Sequence, residues 1–215
     1  KIAIGLSGGK DSISLLLALS DLRKFYPKKF DICAITVSLG FDGSDFTPME
    51  ELCKKIDVDY HVIDTQIGEI IFDARKESNP CSLCAKMRKG ALNNKADELG
   101  CNKIALGHNR DDIIETFMMS LIFEARISTF QPVSFLEKKK LFSIRPLMYV
   151  PESDIKGYIR KNNLPIIKNP CPANGNTKRQ EMKDLIKDLC RKYDNADTKI
   201  FNAISRSKID GWSKE

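Results

Sequence analysis

Short apolar runs alternate along the chain with longer segments whose apolar positions recur at helical spacing. The runs at 2–6, 32–39, 60–63, 103–106 and 142–147 are rich in Ile, Val, Leu and Ala, the pattern of buried strands. Between them, segments 12–25, 48–56, 83–99 and 111–123 gather their apolar residues on one stripe, with Ile13, Leu16, Leu17 and Leu22 marking the first. Strands alternating with helices of this length predict an α/β fold, with a mostly parallel Rossmann-like sheet covered on both faces. After Ala125 the pattern changes. Segments 129–136 and 141–144 flank the polar Glu137-Lys138-Lys139-Lys140, which predicts a small hairpin. From 153 onward only helices are expected, at 153–163, 177–193 and 198–208. This division gives an α/β domain over 1–150 and a helical C-terminal extension over 151–215.

The 215 residues suffice for one sizeable core, and 42% apolar with 30% charged residues is an ordinary globular balance. No apolar run approaches the ~20 residues that span a bilayer, so no membrane partner is expected. The first residues are too quickly interrupted for a signal peptide. The chain opens without Met inside an apolar run, which points to a missing N-terminal segment. Seven cysteines without a secretory signal imply a reducing, cytoplasmic compartment. The net charge of +6 is unevenly placed: 21 Lys/Arg oppose 20 Asp/Glu up to residue 150, and 14 oppose 9 beyond it. The extension is therefore basic, as a polyanion-binding surface or a solvated helical face would be.

The sharpest motif is Ser7-Gly8-Gly9-Lys10-Asp11-Ser12, directly after the first strand and before the first helix. Paired glycines let backbone approach an oxyanion, the helix start presents free N–H groups, and Lys10 adds a point charge. Asp11 is placed to hold Mg²⁺ bridging phosphate oxygens. The spacing excludes a Walker A loop. A bare strand–helix turn would use the same small residues, with Asp11 or Ser12 as N-cap; the full hexapeptide favours nucleotide binding.

Gly107-His108-Asn109-Arg110-Asp111-Asp112 follows the fourth strand and opens another helix. Two adjacent carboxylates there suit Mg²⁺ or an attacking group, and they equally suit a helix dipole with no chemistry. His108 is a proton carrier or a packed strand-end residue; His61, inside an apolar run, reads as structural.

Cys33, Cys53, Cys101 and Cys190 stand singly in apolar or helical patterns and read as small core residues. Pro80-Cys81-Ser82-Leu83-Cys84 opens a helix carrying Lys86, Arg88 and Lys89, and Pro170-Cys171-Pro172 lies far along the chain. A CxxC pair serves redox chemistry, zinc or iron–sulfur binding. Structural zinc wants four ligands, and only three cysteines cluster. Cys81, Cys84 and Cys171 with one open corner suit a [4Fe–4S] cluster, its negative charge favoured by helix N–H groups and nearby cations.

Residues 7–12 resemble the PP-loop of the ATP pyrophosphatases, whose fold is that of the adenine nucleotide alpha-hydrolases. The order of PP-loop, PCSLC with its basic helix, GHNRDDIIET, the IRPL run at 144–147 and a late Pro-Cys resembles the tRNA 2-thiocytidine synthetase family over nearly the whole chain. The chain departs from it at Asn174, where many members have a further cysteine, and at Asn109, where many have a second His. The resemblance implies a PP-loop ATP-binding catalytic domain followed by a basic extension carrying Cys171. It implies that ATP with Mg²⁺ adenylates the C2 oxygen of a cytidine in a tRNA anticodon loop and releases pyrophosphate. Sulfur from the [4Fe–4S] cluster then replaces oxygen. Val37 and Ser38 would flank adenine, with Gly107 and His108 completing the nucleotide site. Asp111 or Asp112 would orient metal or substrate, and Arg88 would steady the adenylate or RNA backbone. Arg160, Lys161, Lys178, Arg179, Lys183, Lys187, Arg191 and Lys192 would grip phosphates. A cysteine desulfurase or free sulfide would donate sulfur, and a homodimer is compatible. The alternatives are a 2-thiouridine-type thiolase, a cysteine-persulfide sulfurtransferase, another PP-loop reaction adding lysine or ammonia, and an ATP-binding redox-sensing module.

Overall fold

The computed structural model describes residues 1–41, 43–74, 80–167, 171 and 177–212. Strands β1 (Ile2–Gly5), β2 (Ile32–Val37), β3 (Asp59–Ile63), β4 (Lys103–Ala105), β5 (Val133–Leu136) and β6 (Leu141–Ile144) form one sheet. Its order is β3-β2-β1-β4-β6-β5, and only the β5–β6 hairpin pair is antiparallel. The mostly parallel α/β expectation therefore stands, with β5 as its antiparallel edge. The expected run 142–147 ends as strand at Ile144, because Pro146 lacks the N–H a ladder needs. Likewise 129–136 pairs only from Val133.

Helices α1 (Lys10–Phe25), α2 (Thr47–Lys55), a short α3 (Ile67–Glu69), α4 (Pro80–Glu98) and α5 (Arg110–Glu124) connect or follow the strands. A π-helical stretch, Ile70–Ala74, extends α3 and has no counterpart in the expected pattern. Then come α6 (Glu152–Lys161), α7 (Lys178–Lys192) and α8 (Ala196–Arg206). Among the described residues no helix is long and apolar enough to cross a membrane.

One sheet face carries Ile4, Leu6 and Ala34 against Ile13, Leu16 and Leu19 of α1, with Ile155 and Ile159 of α6 closing the layer. The other face carries Ala3, Ile35 and Ile104 against Leu92 and Ala96 of α4. Each Leu or Ile so buried stabilises by roughly 1.5–3 kcal/mol. A third cluster joins Ile113 and Ile114 of α5 to Phe201 and Ile204 of α8 and to Trp212. The Trp212 indole donates to the Phe130 carbonyl at 2.9 Å. The C-terminal helices are thus fixed to α5, whose first turn stands at the sheet edge where β1, β2, β4 and β6 all end. Open parallel sheets bind ligands along that edge.

Candidate functional site

After β1 the chain turns through Gly8 at φ +75. A Cβ on Gly8 would lie 2.8 Å from that of Ile167, whose N–H donates to the Gly8 carbonyl at 2.9 Å. Only glycine permits both the turn and that approach. Ser12 ties the loop internally: its Oγ accepts from Ser7 N–H at 3.2 Å and donates to the Gly9 carbonyl at 2.9 Å. Gly9 caps α1 without a side-chain bond, so first-turn amides of α1 remain available to an anion.

The loop after β4 is pressed against this one. A Cβ on Gly107 would sit 3.0 Å from both the Asp11 carbonyl carbon and the Ser12 nitrogen. Asn109, 2% exposed, donates from Nδ2 to Asp11 Oδ1 at 2.9 Å. Its Oδ1 accepts from Asp112 N–H at 3.1 Å while its own N–H donates to Asp112 Oδ2 at 3.0 Å, a reciprocal cap on α5. The position that departs from the resembled pattern therefore holds Asp11 and starts the helix.

Asp111 and Asp112, adjacent in sequence, part ways in space. Asp111 Oδ2 accepts from Glu152 N–H at 2.7 Å, at the start of α6. Asp112 faces Arg179 of α7, which also donates to Glu115 at 3.1 Å and to Thr116 at 3.1 Å. Burial pushes the Asp112 carboxyl up, opposed by its Asn109 bond and by Arg179. Burial pushes Glu115 up as well, again opposed by Arg179. Glu152 gathers three ammonium groups from three helices: Lys10 at 3.0 Å, Lys156 at 2.9 Å and Lys183 at 2.8 Å. Burial alone would raise its pKa; the three lysines overcome it and bring it to about 2. Lys10 also reaches Asp11 at 2.7 Å. Its burial disfavours the charge, yet the two carboxylates hold its pKa above the ordinary value.

Three cavities meet here. The first, of about 370 Å³, brings Cys81, Cys84 and Cys171 together with Lys10, Arg88, Asp111, Asp112, Glu152 and Arg179. The second, of about 430 Å³, lies beneath α4 and contains His108, Ser143 and Arg145. The third, of about 250 Å³, is bounded by Ser7, Gly9, Val37, Leu39, Phe41 and Phe46. Arg88 lines all three. Ser38 is turned into the fold, its N–H on the Ile63 carbonyl and its carbonyl receiving the Thr65 hydroxyl at 2.6 Å.

Cys81 and Cys84 occupy the first turn of α4. Burial raises the Cys84 pKa, Arg88 lowers it, and negative charge on Cys171 or Cys81 would raise it further. Among the described residues no three metal-binding side chains crowd a single point, whereas a four-iron cube distributes its thiolates over separate irons. Lining one cavity beside a cation, the three cysteines fit such a group. Pro170, Pro172 and Asn174 lie outside the described residues. Cys33, Cys53 and Cys101 are buried as expected, with the Cys33 thiol 3.6 Å from Cys101 and pushed up to about 12 by burial and that neighbour. Cys190 is a correction: it is half-buried on α7 rather than in the core, because that helix turns only one face to α5.

The comparisons with known proteins agree with this geometry. A family model described as a PP-loop domain matches residues 1–189. The chain belongs to the PP-loop family. It is 35% identical to the tRNA-cytidine(32) 2-sulfurtransferase of Pelobacter propionicus, over 95% of this chain and 77% of that one. The protein of the same name from Pseudomonas entomophila is 35% identical over 95% and 75%. Identity of that degree over most of both chains places this one in the sulfurtransferase branch of the PP-loop family. Among solved structures, the U34-tRNA thiolase NcsA of Methanococcus maripaludis with its [4Fe-4S] cluster superposes with a TM-score of 0.77 at 27% identity, over 95% of this chain and 70% of that one. The NH3-dependent NAD synthetase of Campylobacter jejuni shares the fold alone, with a TM-score of 0.51 at 17% identity.

Sequence reasoning missed Glu152, Glu115 and Arg145. Glu115 stands one helical turn after Asp112, a spacing that could have flagged it. Arg145 is the lone charge inside the IRPL run. Glu152 looks like half of an ordinary i,i+4 pair with Lys156, because its other partners, Lys10 and Lys183, come from distant segments. Two of the expected RNA-gripping residues face inward: Arg179 binds the α5 acids and Lys183 binds Glu152. Both turn inward because α7 lies against buried carboxylates that need counter-charge.

Proposed function

We propose that this protein is an ATP-dependent tRNA sulfurtransferase that converts the C2 carbonyl of a cytidine, position 32 in the relatives' name, into a thiocarbonyl. The observation that carries the reading is one cavity in which three cysteines face the PP-loop lysine and Arg88. It occurs in a chain 35% identical to curated cytidine sulfurtransferases. The uridine thiolase is the more distant match at 27% identity, which favours cytidine.

The PP-loop amides and Lys10 hold the ATP phosphates, and Lys10 offsets charge as pyrophosphate leaves. The adenosine lies against Val37, which lines both the second and the third cavity, with His108, and Gly107 before it, on the side of the second. Asp11, oriented by Asn109, and Asp112 provide carboxylate oxygens suited to Mg²⁺. The cytidine O2 attacks the α-phosphorus, and the bond to pyrophosphate breaks. A sulfur nucleophile, ultimately from a cysteine desulfurase or free sulfide, then adds at C2 and AMP departs with the original oxygen. Cys81, Cys84 and Cys171 would hold a [4Fe–4S] cluster, which when bound would supply the means of carrying sulfur into this cavity. Arg88, at the junction of the three cavities, stabilises the adenylate's charge. The setting is the cytoplasm, where thiols stay reduced.

Wild-type protein with ATP and tRNA should release AMP and pyrophosphate. Lys10→Ala should lower turnover about 100- to 1000-fold with the fold intact. ADP and inorganic phosphate as the only products would overturn the reading.

A further inference from the structure

Glu152 stands where the phosphate loop meets the C-terminal helices, and its two oxygens serve different partners. Oε1 takes Lys10 at 3.0 Å, while Oε2 takes Lys156 at 2.9 Å and Lys183 at 2.8 Å. The backbone beneath it is fixed independently. Glu152 N–H donates to Asp111 Oδ2 at 2.7 Å, and Ile155 and Ile159 seat α6 in the core against α1. Glu152 and Lys183 line both the cavity of the three cysteines and a fourth, of about 210 Å³, among α5, α6, α7 and α8.

In the resting protein Lys10 spends two of its three N–H donors on carboxylates, Asp11 at 2.7 Å and Glu152 at 3.0 Å. Arriving phosphates compete with both, and a bare carboxylate facing them would be costly. The division of labour between the oxygens removes that cost. Oε1 surrenders Lys10 while Oε2 keeps two ammonium groups, so Glu152 is never left without counter-charge. Its attraction is then shared between two lysines instead of three, and Lys183 is held more strongly. Lys183 belongs to α7, which turns the exposed Lys187, Arg191 and Lys192 outward.

We infer that Glu152 is a positioning residue that couples the phosphate loop to α7: a nucleoside triphosphate that draws Lys10 away tightens the seat of α7 and the basic face it carries. The inference rests on the proposed function only for the RNA that meets this face. The coupling is reciprocal, so a polyanion that fixes α7 favours the release of Lys10 towards phosphate.

The test reads amide hydrogen exchange of α7 in the whole chain, with and without Mg²⁺ and α,β-methylene ATP, together with the affinity for that analogue, all without RNA. In wild type the analogue should slow exchange in α7 by about 5-fold, the low end of coupling between sites. Glu152→Gln should show no such slowing. It should bind the analogue about 2- to 5-fold more tightly, the worth of the partly exposed ion pair that Lys10 no longer has to leave. A merely structural glutamate would do the reverse, since a loosened loop binds phosphate less well. Lys183→Met, which leaves Lys10 on Glu152, should lose the slowing without tighter binding. Unchanged exchange in wild type, slowing that persists in Glu152→Gln, or weaker analogue binding by that variant overturns the inference. If exchange and affinity behave as expected but no tRNA binds, the coupling is supported and the proposed function is what fails.

Discussion

Glu152→Gln is the perturbation whose size the structure defines best. The substitution keeps the side chain's volume and removes the charge that Lys10, Lys156 and Lys183 share. A carboxyl pKa lowered from 4.5 to about 2 corresponds, at about 1.36 kcal/mol per unit, to roughly 3 kcal/mol. The side chain is 12% exposed and its partners are more open, so solvent screening reduces this to about 1–2 kcal/mol. The folded pKa is the depressed one, so the stabilisation is complete above the unfolded value near 4.5 and is lost as pH falls towards 2. Urea unfolding of wild type and variant should therefore differ by about 1–2 kcal/mol at pH 7 and pH 6, and the gap should narrow by about 0.8 kcal/mol at pH 4. Identical unfolding curves for the two proteins at pH 7, or a gap that widens on acidification, would refute the three-lysine network.

Three further outcomes follow from other parts of the site. Gly107→Ala should cost about 1–3 kcal/mol and weaken ATP binding, because its Cβ meets the PP-loop backbone at 3.0 Å; Gly90→Ala, with nothing within 4 Å of the added carbon, is the control. Cys171→Ser should lose iron on anaerobic reconstitution while wild type reaches about four irons and four sulfides per chain, the content of a [4Fe–4S] cluster; equal iron content would remove Cys171 from the ligand set. Neutralising the exposed Lys187, Arg191 and Lys192 should flatten the log–log salt dependence of tRNA binding by about two to three units; an unchanged slope would place the RNA on another surface.

The sheet is legible in the sequence because its strands are buried on both faces, so their apolar runs stand out against the helical stripes between them. The PP-loop is legible because its six residues are consecutive and glycine chemistry restricts what they can do. The end of β6 depends on Pro146 and is only half visible. The π-helical stretch Ile70–Ala74 carries no distinctive period. What escapes sequence reading is convergence. Glu152 matters through Lys10, Lys156 and Lys183, only one of which is a sequence neighbour. Arg145 matters because His108 and Phe130, far apart in sequence, enclose it. The basic C-terminal helices show the opposite error, since charge counting treats Arg179 and Lys183 like their solvent-facing neighbours while packing against α5 and α6 turns both inward.

The most direct test of the account is nucleoside analysis of tRNA after incubation with ATP, Mg²⁺, a sulfide source and anaerobically reconstituted protein, with AMP measured in the same reaction. The account predicts 2-thiocytidine and AMP appearing in equal amounts, and neither when ATP is omitted. Thiolation without AMP formation, or a thionucleoside other than 2-thiocytidine, would contradict it.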